Sequence, residues 1–112
     1  MKKVILLGIS IFSISCSAPK TLYTWDKYDS ASYSYLKKSD EKSTENLIKI
    51  YQKIIKKQNG TRGMIPPGLY ADYGYVLIQS NKIEEGKLML QKEVELYPES
   101  KVFIDRILKM LE

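Results

Sequence analysis

Along most of this 112-residue chain, apolar residues return every three or four positions, and no stretch alternates in twos as a strand would. Across residues 43–58, Leu47, Ile48, Tyr51, Ile54 and Ile55 fall on one side of a helix, while Lys49, Gln52, Lys53, Lys56 and Lys57 take the other. Asn59-Gly60 is expected to stop that helix, with the glycine in the left-handed conformation. After Pro66-Pro67-Gly68, which suits a helix start because a missing N–H goes unneeded there, Leu69, Tyr70, Tyr73, Val76 and Leu77 form the next face, ending at Gln79-Ser80. Asn81-Lys82-Ile83-Glu84 reads as a capping box for a helix that turns Ile83, Gly86, Leu90, Val94 and Tyr97 inward until Pro98 ends it. Ser100 is expected to cap a last helix with a stripe of Phe103, Ile104, Ile107, Leu108 and Leu111. Near the start, Asp26 is expected to cap a helix reaching Lys38, with Tyr28, Ala31, Tyr35 and Ser32 on its inner side. The pattern predicts an all-α domain over residues 22–112, with about five helices in antiparallel hairpins.

A 34-residue unit started at Pro67 puts Tyr70, Tyr73, Gly74 and Leu77 on one helix, Gly86 and Leu90 on the next, and Pro98 at the close. Small residues on each helix let the backbones approach, and large ones fill the gaps alongside. This spacing resembles the tetratricopeptide repeat, with Glu93 standing where that repeat prefers Ala. Residues 26–58 then resemble a degenerate first repeat and residues 100–111 a closing half-repeat, stacked as a right-handed array. Such units bury their apolar faces only against one another.

The first fifteen residues read as an export leader. Lys2 and Lys3 precede an apolar run of eleven residues, 4–14, which as a helix spans roughly 17 Å, too short for a bilayer core of roughly 30 Å. The run leads into Ser13-Ile14-Ser15-Cys16, which resembles the bacterial lipobox, with Ser13 where Leu is usual. That resemblance implies cleavage before Cys16, a diacylglyceryl group on its sulfur, and an acyl chain such as palmitate on the new amino group. A plain secretory leader is the alternative. Cys16 is the only cysteine of the chain, and acylation accounts for a lone thiol in an exported protein. Residues 16–21 are then the acylated cysteine and a spacer. Ser17 is not the Asp associated with inner-membrane retention, so the outer membrane, on its periplasmic side, is the expected address.

Cleavage before Cys16 leaves 97 residues, enough for one small core. The chain has no His, and an acylated Cys16 leaves no thiol, so histidine acid–base chemistry, cysteine nucleophiles and the common zinc and haem sites lack their groups. No glycine-rich phosphate loop is present, and the expectation is a non-enzymatic protein without cofactor or metal. The formal charge of +5 falls to +3 once Lys2 and Lys3 leave. The excess is local, with eight Lys or Arg in residues 37–62. Lys49, Lys53 and Lys56 form a helical stripe, which reads either as a solvated face or as a surface for anionic lipid or an acidic partner. Export and the lack of a recognition motif disfavour nucleic acid. The aromatic stretch around Trp25 reads as core and groove lining, with stacking on sugars or peptides as the alternative.

The segments Leu22-Tyr23-Thr24-Trp25-Asp26-Lys27-Tyr28, Tyr35-Leu36-Lys37, Met64-Ile65-Pro66-Pro67-Gly68-Leu69, Gly74-Tyr75 and Tyr97-Pro98-Glu99-Ser100 together resemble a family of small bacterial lipoproteins known as domain of unknown function 4810. Asp26 stands where that family leads one to expect Gly after the Trp. The resemblance implies an envelope location and a helical fold. Members tend to be encoded beside lipoproteins similar to the curli-secretion pore protein, which by association implies a supporting role in an outer-membrane complex.

Two functions fit these features. One is a scaffold that holds a partner protein in the groove lined by the first helix of a repeat, here Ala71, Tyr75, Ile78 and Gln79. The other is a structural envelope lipoprotein whose Lys49, Lys53 and Lys56 contact anionic lipid or cell-wall polymer.

Overall fold

The computed structural model describes residues 21–112, so the leader, Cys16 and most of the spacer lie outside the described residues. Five α-helices follow one another: α1 (Tyr28–Lys38), α2 (Glu41–Lys56), α3 (Leu69–Gln79), α4 (Ile83–Leu96) and α5 (Lys101–Met110), with a 3₁₀ turn at Pro98–Ser100. Among the described residues there is no strand. Each helix packs on the next, and α3 and α4 form the most intimate pair.

α2 is the central member of the first half because its apolar side is continuous. Leu47, Ile50, Tyr51 and Ile54 are all buried, each contributing roughly 1.5–3 kcal/mol by leaving water. Ala31 of α1 and Leu69, Tyr73, Val76 and Leu77 of α3 close the same core. The helix begins two residues earlier than its apolar pattern indicates, at Glu41. Asp40 caps it, its carboxylate accepting the Ser43 N–H at 2.8 Å. Hydrogen bonding from Ser43, by its side chain and then its backbone N–H, holds the Asp40 carboxyl below its ordinary range.

In the second hairpin the two glycines do what the repeat spacing requires. A Cβ added at Gly74 would lie 2.7 Å from the Gly86 carbonyl, and one added at Gly86 would lie 2.6 Å from the Gly74 carbonyl. The helices therefore touch backbone to backbone, with Leu90 fully buried beside the contact.

Helix ends differ from the sequence expectations, in each case for a local reason. Asp26 does not cap α1. It adopts φ +49°, and Lys27 takes the N-cap without a side-chain bond. Asn81 forms no capping box; it closes α3 instead, at φ +66°, with Asn81 N–H donating to Ile78 O at 3.0 Å and Lys82 N–H to Leu77 O at 2.9 Å. Those two bonds are the Schellman ending, for which Asn is the usual substitute for Gly. Ser100 donates its hydroxyl to the Tyr97 carbonyl at 2.7 Å rather than capping α5. Ile83 and Phe103 were expected inside, yet Ile83 is 39 % and Phe103 61 % exposed. α5 packs on α4 through one fully buried residue, Ile104, so only a narrow part of its apolar stripe is covered.

Glu93 is the largest departure. In the repeat spacing it stands where Ala is preferred, and as a carboxylate it is 2 % exposed. Its Oε1 accepts the Gly68 N–H at 2.7 Å. Gly68, the N-cap of α3, has no side chain to cap its own helix, and a carboxylate from the neighbouring helix supplies the acceptor at the positive pole. The other carboxylate oxygen, Oε2, is buried without a partner.

Candidate functional site

The segment that leads into α1 is tied to the loop after α2, 34 to 40 residues further on. Thr61 N–H donates to Thr21 O at 3.0 Å and Arg62 N–H to Leu22 O at 3.2 Å. The Gln58 side-chain amide meets the Thr24 backbone in both directions: Oε1 accepts from Thr24 N–H, and Nε2 donates to Thr24 O at 3.2 Å. Asn59 N–H donates to the Thr24 hydroxyl at 3.0 Å. These bonds draw the chain out of the α2 helix at Lys57. Gly60 therefore serves a purpose other than the left-handed stop expected of it. Its φ is not positive, and a Cβ there would collide with the Leu22 carbonyl and the Tyr23 backbone.

This strap and the end of α2 enclose a cleft of about 490 Å³ lined by Thr24, Asp26, Lys53, Ile54, Lys56, Lys57 and Asn59. Two of the three residues of the predicted basic face, Lys53 and Lys56, thus meet in one place, joined by Lys57. Lys49, a turn earlier on α2, is exposed and outside the lining. Lysines in the last turn answer the negative pole of the helix. Among the described residues the ion pairs are Lys87 with Glu84 and Lys101 with Asp105, so the three cleft lysines have no carboxylate within 4.0 Å.

The predicted partner groove is only partly assembled as a surface. Tyr75 is 52 % exposed, and its hydroxyl accepts from the Gln79 side-chain amide at 2.9 Å. Ala71 is half-buried. Ile78 is half-buried and serves the hairpin, since a Cβ at Gly86 would lie 2.5 Å from its Cγ1. Gln79 also borders a second cleft, of about 370 Å³, whose lining includes Asp40, Glu41 and Glu45 from the start of α2 and Lys82 from the α3–α4 turn. The acidic rim was not anticipated, because only the folding of α2 against the end of α3 brings these carboxylates beside Gln79.

The rings divide between core and surface. Trp25, Tyr28, Tyr51 and Tyr73 form a ladder with successive centroids 5.4, 5.9 and 5.3 Å apart, running from the strap into the core. Tyr28 donates its hydroxyl to Asp72 at 3.0 Å, linking α1 to α3. Burial, and then the Asp72 charge, push the Tyr51 and Tyr28 hydroxyls above their ordinary pKa of 10.0. Trp25 and Tyr33 remain 41 % and 65 % exposed.

Among the described residues, no helix is long and apolar enough to cross a membrane, and no group of three His, Cys, Asp or Glu is placed to hold a metal ion. The fold is that of a small all-α domain of helical hairpins, with open clefts at its surface. Over residues 22–107 the chain matches the model of Domain of unknown function (DUF4810), and it belongs to that family. No curated protein and no solved structure matches it.

Proposed function

We propose that this protein is a lipid-anchored, non-enzymatic interaction module of the bacterial envelope. Acyl chains on Cys16 hold it at the outer membrane, facing the periplasm, where it supports a larger envelope or secretion complex. The lipobox-like Ser15-Cys16 and the leader before it support the address. The carrying observation for the interaction is the exposed Tyr75–Gln79 pair beside the acidic cleft. A ring steadied by a neighbouring amide loses little side-chain freedom on binding, which favours tyrosine as an interface anchor. The partner that fits is an apolar protein segment with a Lys or Arg able to reach Asp40, Glu41 and Glu45. It includes no nucleic acid, and a lipoprotein similar to the curli-secretion pore protein is a candidate by the family association alone.

Photo-crosslinking in cells tests this directly. A photoreactive residue at Tyr75 or Glu45 is expected to capture one envelope protein, and the same residue at exposed Leu88 on α4 is expected to capture none. Adducts equal at all three positions, or absent from Tyr75, would remove this face as the docking surface. The mass of the N-terminal peptide from cells checks the anchor separately.

A further inference from the structure

The cleft beside the strap carries a feature that partner capture at Tyr75 does not use. Three lysines, 53, 56 and 57, line it against a single carboxylate, Asp26. Between two of its lining residues sits Trp25, the only tryptophan of the chain, 41 % exposed, and Leu22 nearby is 59 % exposed. Arg62, outside the lining, adds a cation beside the strap, its backbone N–H bonded to Leu22 and its guanidinium over the Tyr23 ring at 5.9 Å. Lysine and arginine suit headgroup phosphates, and tryptophan concentrates at the boundary between headgroups and acyl chains.

Position selects the occupant. From Cys16 to Thr21 is five residues of chain, which span at most about 18 Å, only about two screening lengths at physiological salt. A lipid on Cys16 therefore keeps this basic and aromatic end within reach of the bilayer surface. We infer that Lys53, Lys56, Lys57 and Arg62, together with the exposed Trp25, dock the domain on the anionic phospholipid headgroups of the membrane that holds its tether. The inference rests on the lipid-anchored reading above and extends it, giving the domain a fixed orientation where a tether alone would leave it free to tumble.

The test uses the Cys16→Ser chain without residues 1–15, because the apolar leader would itself enter vesicles. All five helices lie within residues 28–110, so this chain retains every helix of the fold. It is mixed with vesicles of phosphatidylglycerol and phosphatidylethanolamine, or of phosphatidylcholine alone, and Trp25 emission is followed. Binding to the anionic vesicles is expected, with a blue shift and with quenching by lipids brominated near the headgroup. The combined Lys53→Glu, Lys56→Glu and Lys57→Glu variant is expected to bind about 100-fold more weakly. A charge-matched variant, Lys42→Glu with Lys92→Glu and Lys109→Glu, is expected to keep most of the affinity. Far-UV circular dichroism confirms that both remain helical, and the milder Lys→Gln set replaces any variant that does not. Equal binding to both vesicle types, equal loss in the two variants, or preference for isolated cell-wall sacculi over anionic vesicles would overturn the inference. Because the tested chain carries no lipid, these outcomes stand apart from whether Cys16 is acylated in cells.

Discussion

In the second hairpin, α3 and α4 approach until the Gly74 and Gly86 backbones touch, whereas in the first, α1 meets α2 through the rings of Tyr28 and Tyr51 around the small Ala31. One joint depends on atoms that are absent and the other on atoms that are present. The second tolerates no addition and the first no removal. The ends of the hairpins differ in the same sense: α3 closes on itself with a Schellman turn, but α2 is drawn out of its helix by a strap from the start of the domain.

The largest expected effects come from reversing each joint. Tyr51→Ala empties the ring ladder and should cost about 3–5 kcal/mol of stability. Gly86→Ala fills the backbone contact; overpacking of about 1–3 kcal/mol is offset by about 1 kcal/mol of better helix propensity, leaving a net loss of about 0–2 kcal/mol. Urea unfolding of both variants checks the pair, and a stabilised Gly86→Ala would show that the close approach does not limit the second hairpin.

Alkaline pH should weaken both hairpins without mutation, because burial raises the Tyr51 and Tyr28 hydroxyls in the first and those of Tyr70 and Tyr97 in the second. Tyr51 and Tyr28 have hydroxyl pKa values raised above 10.0 in the folded state, so the folded protein holds their protons more tightly than the unfolded chain. The stability this confers is fully present below about pH 10 and is lost as pH rises through the folded values. Unfolding midpoints measured from pH 8 to 12 should fall above pH 10, and Tyr51→Phe should flatten that fall. An unchanged alkaline slope in the variant would place the loss elsewhere.

The smallest expected effect is at the strap. Asp26 adopts φ +49°, which glycine takes freely and aspartate at a cost. Asp26→Gly should stabilise the protein by about 0.5–1 kcal/mol, read as a higher midpoint in thermal unfolding. A lower midpoint would mean that the Asp26 side chain contributes more than its backbone costs.

That position shows how far a linear reading reaches. The family resemblance set glycine against Asp26, and the positive φ explains why glycine belongs there. The inner faces of α2 and α3 were legible at Leu47, Tyr51, Ile54, Tyr73 and Leu77, because helical spacing alone puts them on one side. The Gly74–Gly86 contact was legible for the same reason. Glu93 was not, since its acceptor role depends on where the start of α3 lies across the hairpin. The cleft lining at Thr24 and Asn59 was hidden because the two residues are 35 apart and meet only through the strap.

Sequence by itself determined the helices, the inner faces of α2 and α3, the glycine contact and the single cysteine, all of which follow from local spacing and residue chemistry. Tertiary structure alone decided which lysines share a cleft, which acids rim Gln79, and that Ile78 packs against Gly86. Periodicity along a helix fixes the direction of each side chain, but only packing between helices fixes what that side chain meets.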